Sequence, residues 1–340
     1  MTGTGKLSEP PRGVLPIGDA TPERILDPSS APASALPLFE TPDAWLRERR
    51  TQRHAGRTLG FVPTMGALHE GHASLVRRSR AENDLTLVSI FVNPTQFDDP
   101  ADLGRYPRVL EADLELLRAE GADFVFLPRE ADLYPDGYRY RVSEREWSTV
   151  LEGAHRPGHF DGVLTVVLKL LQIAGAERAY FGEKDWQQLG LVRGMADAFF
   201  LDTTIVPCAT VREADGLALS SRNRRLSPAD RARAPRFHAT LSSAPTAEAA
   251  ARDLAASGFI VDYVEDRDGR RLGAVRLGGV RLIDNVPLRD GPVPVDRVPS
   301  IRMRSIDDRA PSERGSSLDR VSPIGGAPAS GERDDPGGAS

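Results

Sequence analysis

The sequence predicts an α/β protein: a mostly parallel sheet with helices on both faces, followed by a small α+β lobe. Three observations lead there. Short runs rich in Val, Ile, Leu and Phe alternate with segments of helical period, as in a parallel sheet buried on both sides. After about residue 213 the alternation gives way to a helix start and closely spaced strand-like segments. Prolines crowd the ends: 15 of the 27 lie in residues 1–37 and 287–340, so the folded part is expected to be nearer 250 residues than the full 340. The expected organisation is a disordered leader over 1–37, a main domain over 38–212, a small lobe over 213–290 and a disordered tail over 291–340.

The elements follow in order. LFETPDAWLRERR carries an N-cap at Thr41 and Pro42 at the first helical position. RTLGFVPT reads as a buried strand, GHASLVRRSRAEN as an amphipathic helix and LTLVSIFV as the next strand. VLEADLELLRAEG is a helix ending at Gly121, and ADFVFLP a strand. GVLTVVLKLLQIAG is an apolar helix, ERAYFGE a short strand, DWQQLGLVRGMADAFF a helix and TTIVPCATV a strand. In the lobe, Ser227–Pro228 starts a helix, GFIVDYVEDRD reads as a strand and GAVRLGGVRLIDNVPL as one or two more.

Bulk chemistry narrows the function. The net charge of −5 comes from interspersed charges, which argues against a nucleic-acid protein working through a broad basic face. No stretch approaches 18 uninterrupted apolar residues, and the start lacks a basic flank before an apolar core, so neither a membrane span nor a secretory signal is expected. The one cysteine, Cys208, sits in an apolar run and reads as a small buried thiol. A soluble cytoplasmic protein is the expectation.

Four motifs carry chemistry. PTMGALHEGH (63–72) lies between a strand and a helix; Gly66 permits a tight turn and Gly71 a close backbone approach. The free amides of a helix N-terminus favour an anion, and His69 and His72, three apart, fall on one side. Imidazoles there suit charge that builds on phosphate oxygens; zinc is the lesser alternative, since no third ligand is evident. FVNPTQF (91–97) offers Asn93 and Gln96 around a proline-set turn, suited to a hydroxylated or carboxylate-bearing substrate, or forming a simple Asx-turn. FGEKDWQQ (181–188) places Lys184 for phosphate, Asp185 as a cap and Gln187 and Gln188 in the first helical turn, or forms a plain capping loop. DGLALSSRNRRLS (215–227) offers two hydroxyls and a guanidinium as a phosphate clamp, although such strings also occur in ordinary loops. Three motifs follow three apolar strands and the fourth opens the lobe, an order that would line a cleft closed by a lid.

With PTMGALHEGH, SIFVNPTQF, LEGAHRPGHFDGV, FGEKDWQQL and DGLALSSRN collinear, the sequence from about Leu38 to Leu288 resembles the pantothenate synthetase family, the pantoate–β-alanine ligases of coenzyme A biosynthesis. The resemblance implies a Rossmann-like nucleotidyltransferase domain with HEGH as its HxGH signature and the SSR loop as the counterpart of the synthetases' KMSKS loop. It implies that ATP and pantoate form pantoyl adenylate and pyrophosphate, and that β-alanine then gives pantothenate and AMP. Carried over, Met65, Gly66, Ala67, Leu68, His69, Glu70, Gly71 and His72 form the ATP loop. Gly182, Glu183, Lys184, Asp185, Val211, Leu219, Ser220, Ser221 and Arg222 complete the ATP site. His69, His72, Lys184, Ser220, Ser221 and Arg222 are the implied catalytic set, and Pro63, Met65, Gln96 and Gln188 the implied site for pantoate and β-alanine. Asn93, Tyr106 and Glu152 stand behind these, and Asp113 is the implied Mg²⁺ contributor.

A cytoplasmic homodimer is also implied, with no nucleic-acid or membrane partner. Departures from the family pattern are Thr95 for a methionine, Ala112 where a carboxylate often precedes Asp113, Arg225 for a tyrosine, and a lobe short of part of a hairpin between Arg267 and Arg281. These leave two other readings to separate: a weakly active or regulatory ATP-binding paralogue, and an adenylyltransferase for another hydroxy acid.

Overall fold

The computed structural model describes residues 36–288; the rest of the expected leader and tail lies outside the described residues. Leu36 and Pro37, assigned to the leader from the sequence, belong to the fold: Leu36 is buried and the Pro37 carbonyl accepts from the Val125 amide. They lead into a two-residue edge strand, β1 (Leu38–Phe39), hidden in the sequence by its brevity.

Thr41 caps α1 (Pro42–His54) by accepting from the Ala44 amide. Then follow β2 (Leu59–Thr64), α2 (Glu70–Glu82), β3 (Leu85–Ile90), a 3₁₀ turn Pro94–Gln96, α3 (Pro100–Gly104), α4 (Leu110–Glu120) and β4 (Phe124–Phe126). Gly121, at φ 73°, ends α4 in the left-handed conformation that glycine adopts without penalty. After α5 (Glu130–Leu133) and α6 (Glu152–His155) come α7 (His159–Ala174), β5 (Arg178–Gly182), a 3₁₀ turn Glu183–Asp185, α8 (Trp186–Ala198) and β6 (Thr204–Cys208).

All six strands are parallel, in the order β1-β4-β3-β2-β5-β6. The chain builds outward from β2 through β3 to β4, then returns to add β5 and β6 on the other side. The strand order therefore reverses between β2 and β5, and ligands bind such sheets in the crevice at the carboxyl ends beside the reversal. Two apolar clusters cover the faces, one around Trp45, Phe61, Phe126 and Leu164, the other around Val62, Val76, Leu117 and Tyr180.

The small lobe holds a 3₁₀ turn Ser221–Arg225, α9 (Pro228–Arg233), α10 (Arg236–Ser243), α11 (Ala247–Ala256) and an antiparallel sheet of β7 (Ile260–Arg267), β8 (Arg270–Leu277) and β9 (Val280–Pro287). Two-residue turns join the strands, Asp268–Gly269 and Gly278–Gly279, with φ positive at all four residues as tight hairpins require. The three eight-residue strands pair from end to end but for one irregularity in β7 between Val261 and Tyr263.

Candidate active site

The loop after β2 makes two successive left-handed steps, Gly66 at φ 79° and Ala67 at φ 51°. Ala67 bears a side chain there, so something must hold it. Asp113 of α4 does: its carboxylate accepts from the amides of Ala67 (2.9 Å) and Leu68 (2.7 Å). Asp113 thus has a backbone-holding role beyond the one implied for it. Each oxygen accepts from a backbone N–H in a buried site, and the carboxylate holds the turn. Among the described residues no group of three or more His, Cys, Asp or Glu side chains is placed to hold a metal ion. Asp113 does not line the cleft described below.

His69 is the N-cap of α2. Its Nδ1 accepts from the Gly71 amide (3.1 Å), and His72 Nδ1 accepts from the His69 amide (3.3 Å). With each Nδ1 an acceptor, each ring carries its proton on Nε2. Burial, then Lys184 and Arg224, push His69 down to about 4. Burial, then His69 and Lys184, push His72 down to about 3. At neutral pH the helix N-terminus therefore presents two uncharged N–H donors. A Cβ on Gly71 would sit 2.9 Å from the His69 ring, so glycine lets the two rings lie with centroids 4.2 Å apart.

Asn93, after β3, is buried and donates to Gln96 Oε1 (3.0 Å) and to the Gly162 carbonyl (3.3 Å). Gln96 is thereby oriented with its amide nitrogen as the group offered to the cleft. Thr95 turns away from that cleft, into a hydroxyl network with Asn93 Oδ1 (2.9 Å) and Tyr134 (3.2 Å). After β5, Lys184, Asp185 and Gln188 face the cleft. Gln187, the neighbour, turns inward: it accepts from the Glu152 amide and donates to the Val150 and Trp147 carbonyls.

The SSR loop closes the circuit. Ser220 caps the turn 221–225 by accepting from the Arg222 amide, and Tyr106 hydrogen-bonds Ser221. Arg222 and Arg225 both donate to Asp102 of α3, one to each oxygen (3.0 and 2.6 Å). Partial burial opposes charge on Asp102, but the two guanidiniums hold it below the usual carboxylate range. Arg225 thus has a carboxylate partner in Asp102.

One cleft brings together Pro63, Met65, His69, Gly71, His72 and Gln96 with Gly182, Lys184, Asp185 and Gln188. Val211, Leu219, Ser220, Ser221 and Arg222 line it too. Five implied ATP-site residues do not. Gly66 makes the turn, Ala67 and Leu68 are buried, Glu70 pairs with Arg77 on the surface, and Glu183 lies near Arg270 of the lobe.

A family model described as Pantoate-beta-alanine ligase matches residues 38–287. The chain belongs to this family. The pantothenate synthetase of Bdellovibrio bacteriovorus is 56% identical over 251 residues, 74% of this chain and 99% of that protein. That of Legionella pneumophila (strain Corby) is 49% identical over 250 residues, 74% of this chain and 99% of its own. A crystal structure of the Francisella tularensis pantoate-beta-alanine ligase, complexed with beta-gamma ATP and beta-alanine, superposes with TM-score 0.72 at 40% identity, covering 76% of this chain and 99% of that one. No described helix is long and apolar enough to cross a membrane.

Within this pantoate-beta-alanine ligase fold, several residues emerge that their local sequence did not mark. Tyr263 of β7 donates to Glu152 Oε1 (3.0 Å) and Arg281 of β9 to Glu152 Oε2 (2.5 Å). Arg212 donates to both oxygens of Asp284 (2.7 and 2.9 Å), and Asn285 donates to the carbonyls of Glu183 and Lys184. Their partners lie up to 129 residues away, beyond any local period; the signal available was charge and amide groups at strand positions otherwise apolar.

Proposed function

We propose that this chain condenses pantoate with β-alanine at the expense of ATP through a pantoyl adenylate. The observation that carries the reading is the convergence, in one cleft, of two neutral imidazole N–H donors at a helix N-terminus, a lysine, and two glutamine amides. In the first step a pantoate carboxylate oxygen attacks the α-phosphorus of ATP and the bond to the β-phosphate oxygen breaks, releasing pyrophosphate. Charge that accumulates on phosphate oxygens is met by His69, His72, Lys184 and the SSR loop, donors already fixed by the fold. Gln96 and Gln188 hold the hydroxyl and carboxylate groups of pantoate. In the second step the β-alanine amine attacks the acyl carbon, AMP leaves and the amine loses a proton. Positioning and charge neutralisation suffice, and no enzyme nucleophile is needed.

The depressed values of both histidines favour hydrogen-bond donation over proton transfer from an imidazolium. We extend the reading to a catalytic domain over 38–212, a lid over 213–290 and, on the family likeness, a cytoplasmic homodimer. AMP release with pantoate and β-alanine tests the function; none above background at saturating substrates would sink it, and preference for another hydroxy acid would redirect it. His69→Ala and His72→Ala are each expected to slow pantoate-dependent pyrophosphate exchange by about 10²-fold. Near-wild-type exchange in both would remove the histidines from the chemistry.

A further inference from the structure

We propose that Asn285, on β9 of the small lobe, is a positioning residue for Lys184. Its Nδ2 donates to two successive carbonyls, Glu183 O at 2.9 Å and Lys184 O at 3.0 Å. Those carbonyls belong to the peptide planes on either side of the Lys184 Cα, and their relative rotation is the φ and ψ of that residue. One side-chain amide therefore fixes the backbone from which the Lys184 ammonium is offered to the cleft.

The amide's orientation follows from its partners. Arg270 of β8 donates through Nε to Asn285 Oδ1 (2.7 Å), and a guanidinium can only donate, while the two carbonyls can only accept. Asn285 is 2% exposed, so water does not compete for these bonds. The same guanidinium lies 4.2 Å from the centre of the Trp186 ring, on the far side of Lys184 in sequence. The lobe thus grips residues 183, 184 and 186 together. The preceding residue, Asp284, clamps Arg212 at the root of the loop that carries Ser220, Ser221 and Arg222. Adjacent residues of one strand hold the lysine loop and the hydroxyl loop, and so set the spacing between two groups that must reach the same phosphates.

The kinetic part of this inference rests on the adenylation reading above; the binding part does not. In the full chain, Asn285→Ala, Lys184→Ala and the double variant are compared by calorimetric ATP affinity, by pantoate-dependent pyrophosphate exchange and by thermal unfolding. Asn285→Ala is expected to weaken ATP binding about tenfold, the scale of losing hydrogen bonds that hold a charged group in place, and to lower kcat while leaving the pantoate KM within about twofold. In the Lys184→Ala background the same change is expected to cost nothing further, since the residue it positions is gone. Should Asn285→Ala not accumulate as folded protein, Asn285→Ser carries the same expectations, its short hydroxyl falling away from the loop carbonyls. Additive losses in the double variant, or unchanged ATP affinity with only a lowered melting temperature, would overturn the proposal. A wild-type chain without pantoate-dependent exchange would instead sink the ligase reading and leave the affinity cycle to decide the role of Asn285.

Discussion

His159 shows at single-residue level how this protein keeps imidazoles neutral. Its Nε2 meets the Arg156 guanidinium at 3.0 Å and its Nδ1 the Gln96 carbonyl at 2.8 Å. Arg156 can only donate, so the ring proton is on Nδ1. Burial first, then Arg156, push it down to about 4. The unfolded chain takes up that proton near pH 6.5, so stability is complete above that value and falls as pH drops from 6.5 towards 4, by about 3 kcal/mol for this one group. Denaturant unfolding at pH 7 and pH 4.5 measures the loss, and His159→Gln is expected to shrink it. Asp113 makes a second case. Burial raises its pKa against the pull of two amides, and those amides belong to the turn that sets His69 in place. Asp113→Asn is expected to slow pyrophosphate exchange about tenfold through that turn while the half-activating Mg²⁺ concentration stays put. A large rise in the Mg²⁺ requirement would show a metal role for Asp113.

At the scale of elements, the polar loops are only as well placed as the contacts beneath them. Gly162 of α7 lies against the 3₁₀ turn that carries Gln96, and a Cβ there would meet the Thr95 carbonyl oxygen at 2.3 Å and the Gln96 nitrogen at 2.7 Å. Gly162→Ala must displace that turn, so the pantoate KM is expected to rise about tenfold with the ATP KM nearly unchanged, at a stability cost of about 1–3 kcal/mol. Equal effects on both substrates would mean a general loosening. Much of this layer was readable in advance. β2, β3, β5 and β6 are apolar runs, α1 and α9 have their caps at Thr41 and Ser227, and the strand-loop-helix order placed the motifs at one sheet edge. The two-residue β1 and the helices α10 and α11 were not read, because short or Ala- and Ser-rich segments carry little period of their own. Nor did spacing reveal that Asp113 serves the backbone 45 residues away, since a buried carboxylate facing amides and one facing a cation look alike in a string of letters.

Across the whole described molecule, the small lobe is tied to the six-stranded domain at the points where phosphate chemistry is expected. Glu152 receives Tyr263 and Arg281, Arg212 meets Asp284, and the carbonyls of Glu183 and Lys184 receive Asn285. These bonds run both ways. If the strand steadies the loop, a ligand that steadies the loop must steady the strand by the same free energy. ATP is therefore expected to slow amide hydrogen exchange in β9, around Asp284 to Val286, as well as in residues 183–188, although the nucleotide need not touch the strand. Mass-spectrometric exchange with and without ATP reads this directly; protection of 183–188 with β9 unaltered would show that the coupling ends at the loop. On this view the strand is a remote reporter of occupancy, and a label there would register nucleotide binding from outside the cleft.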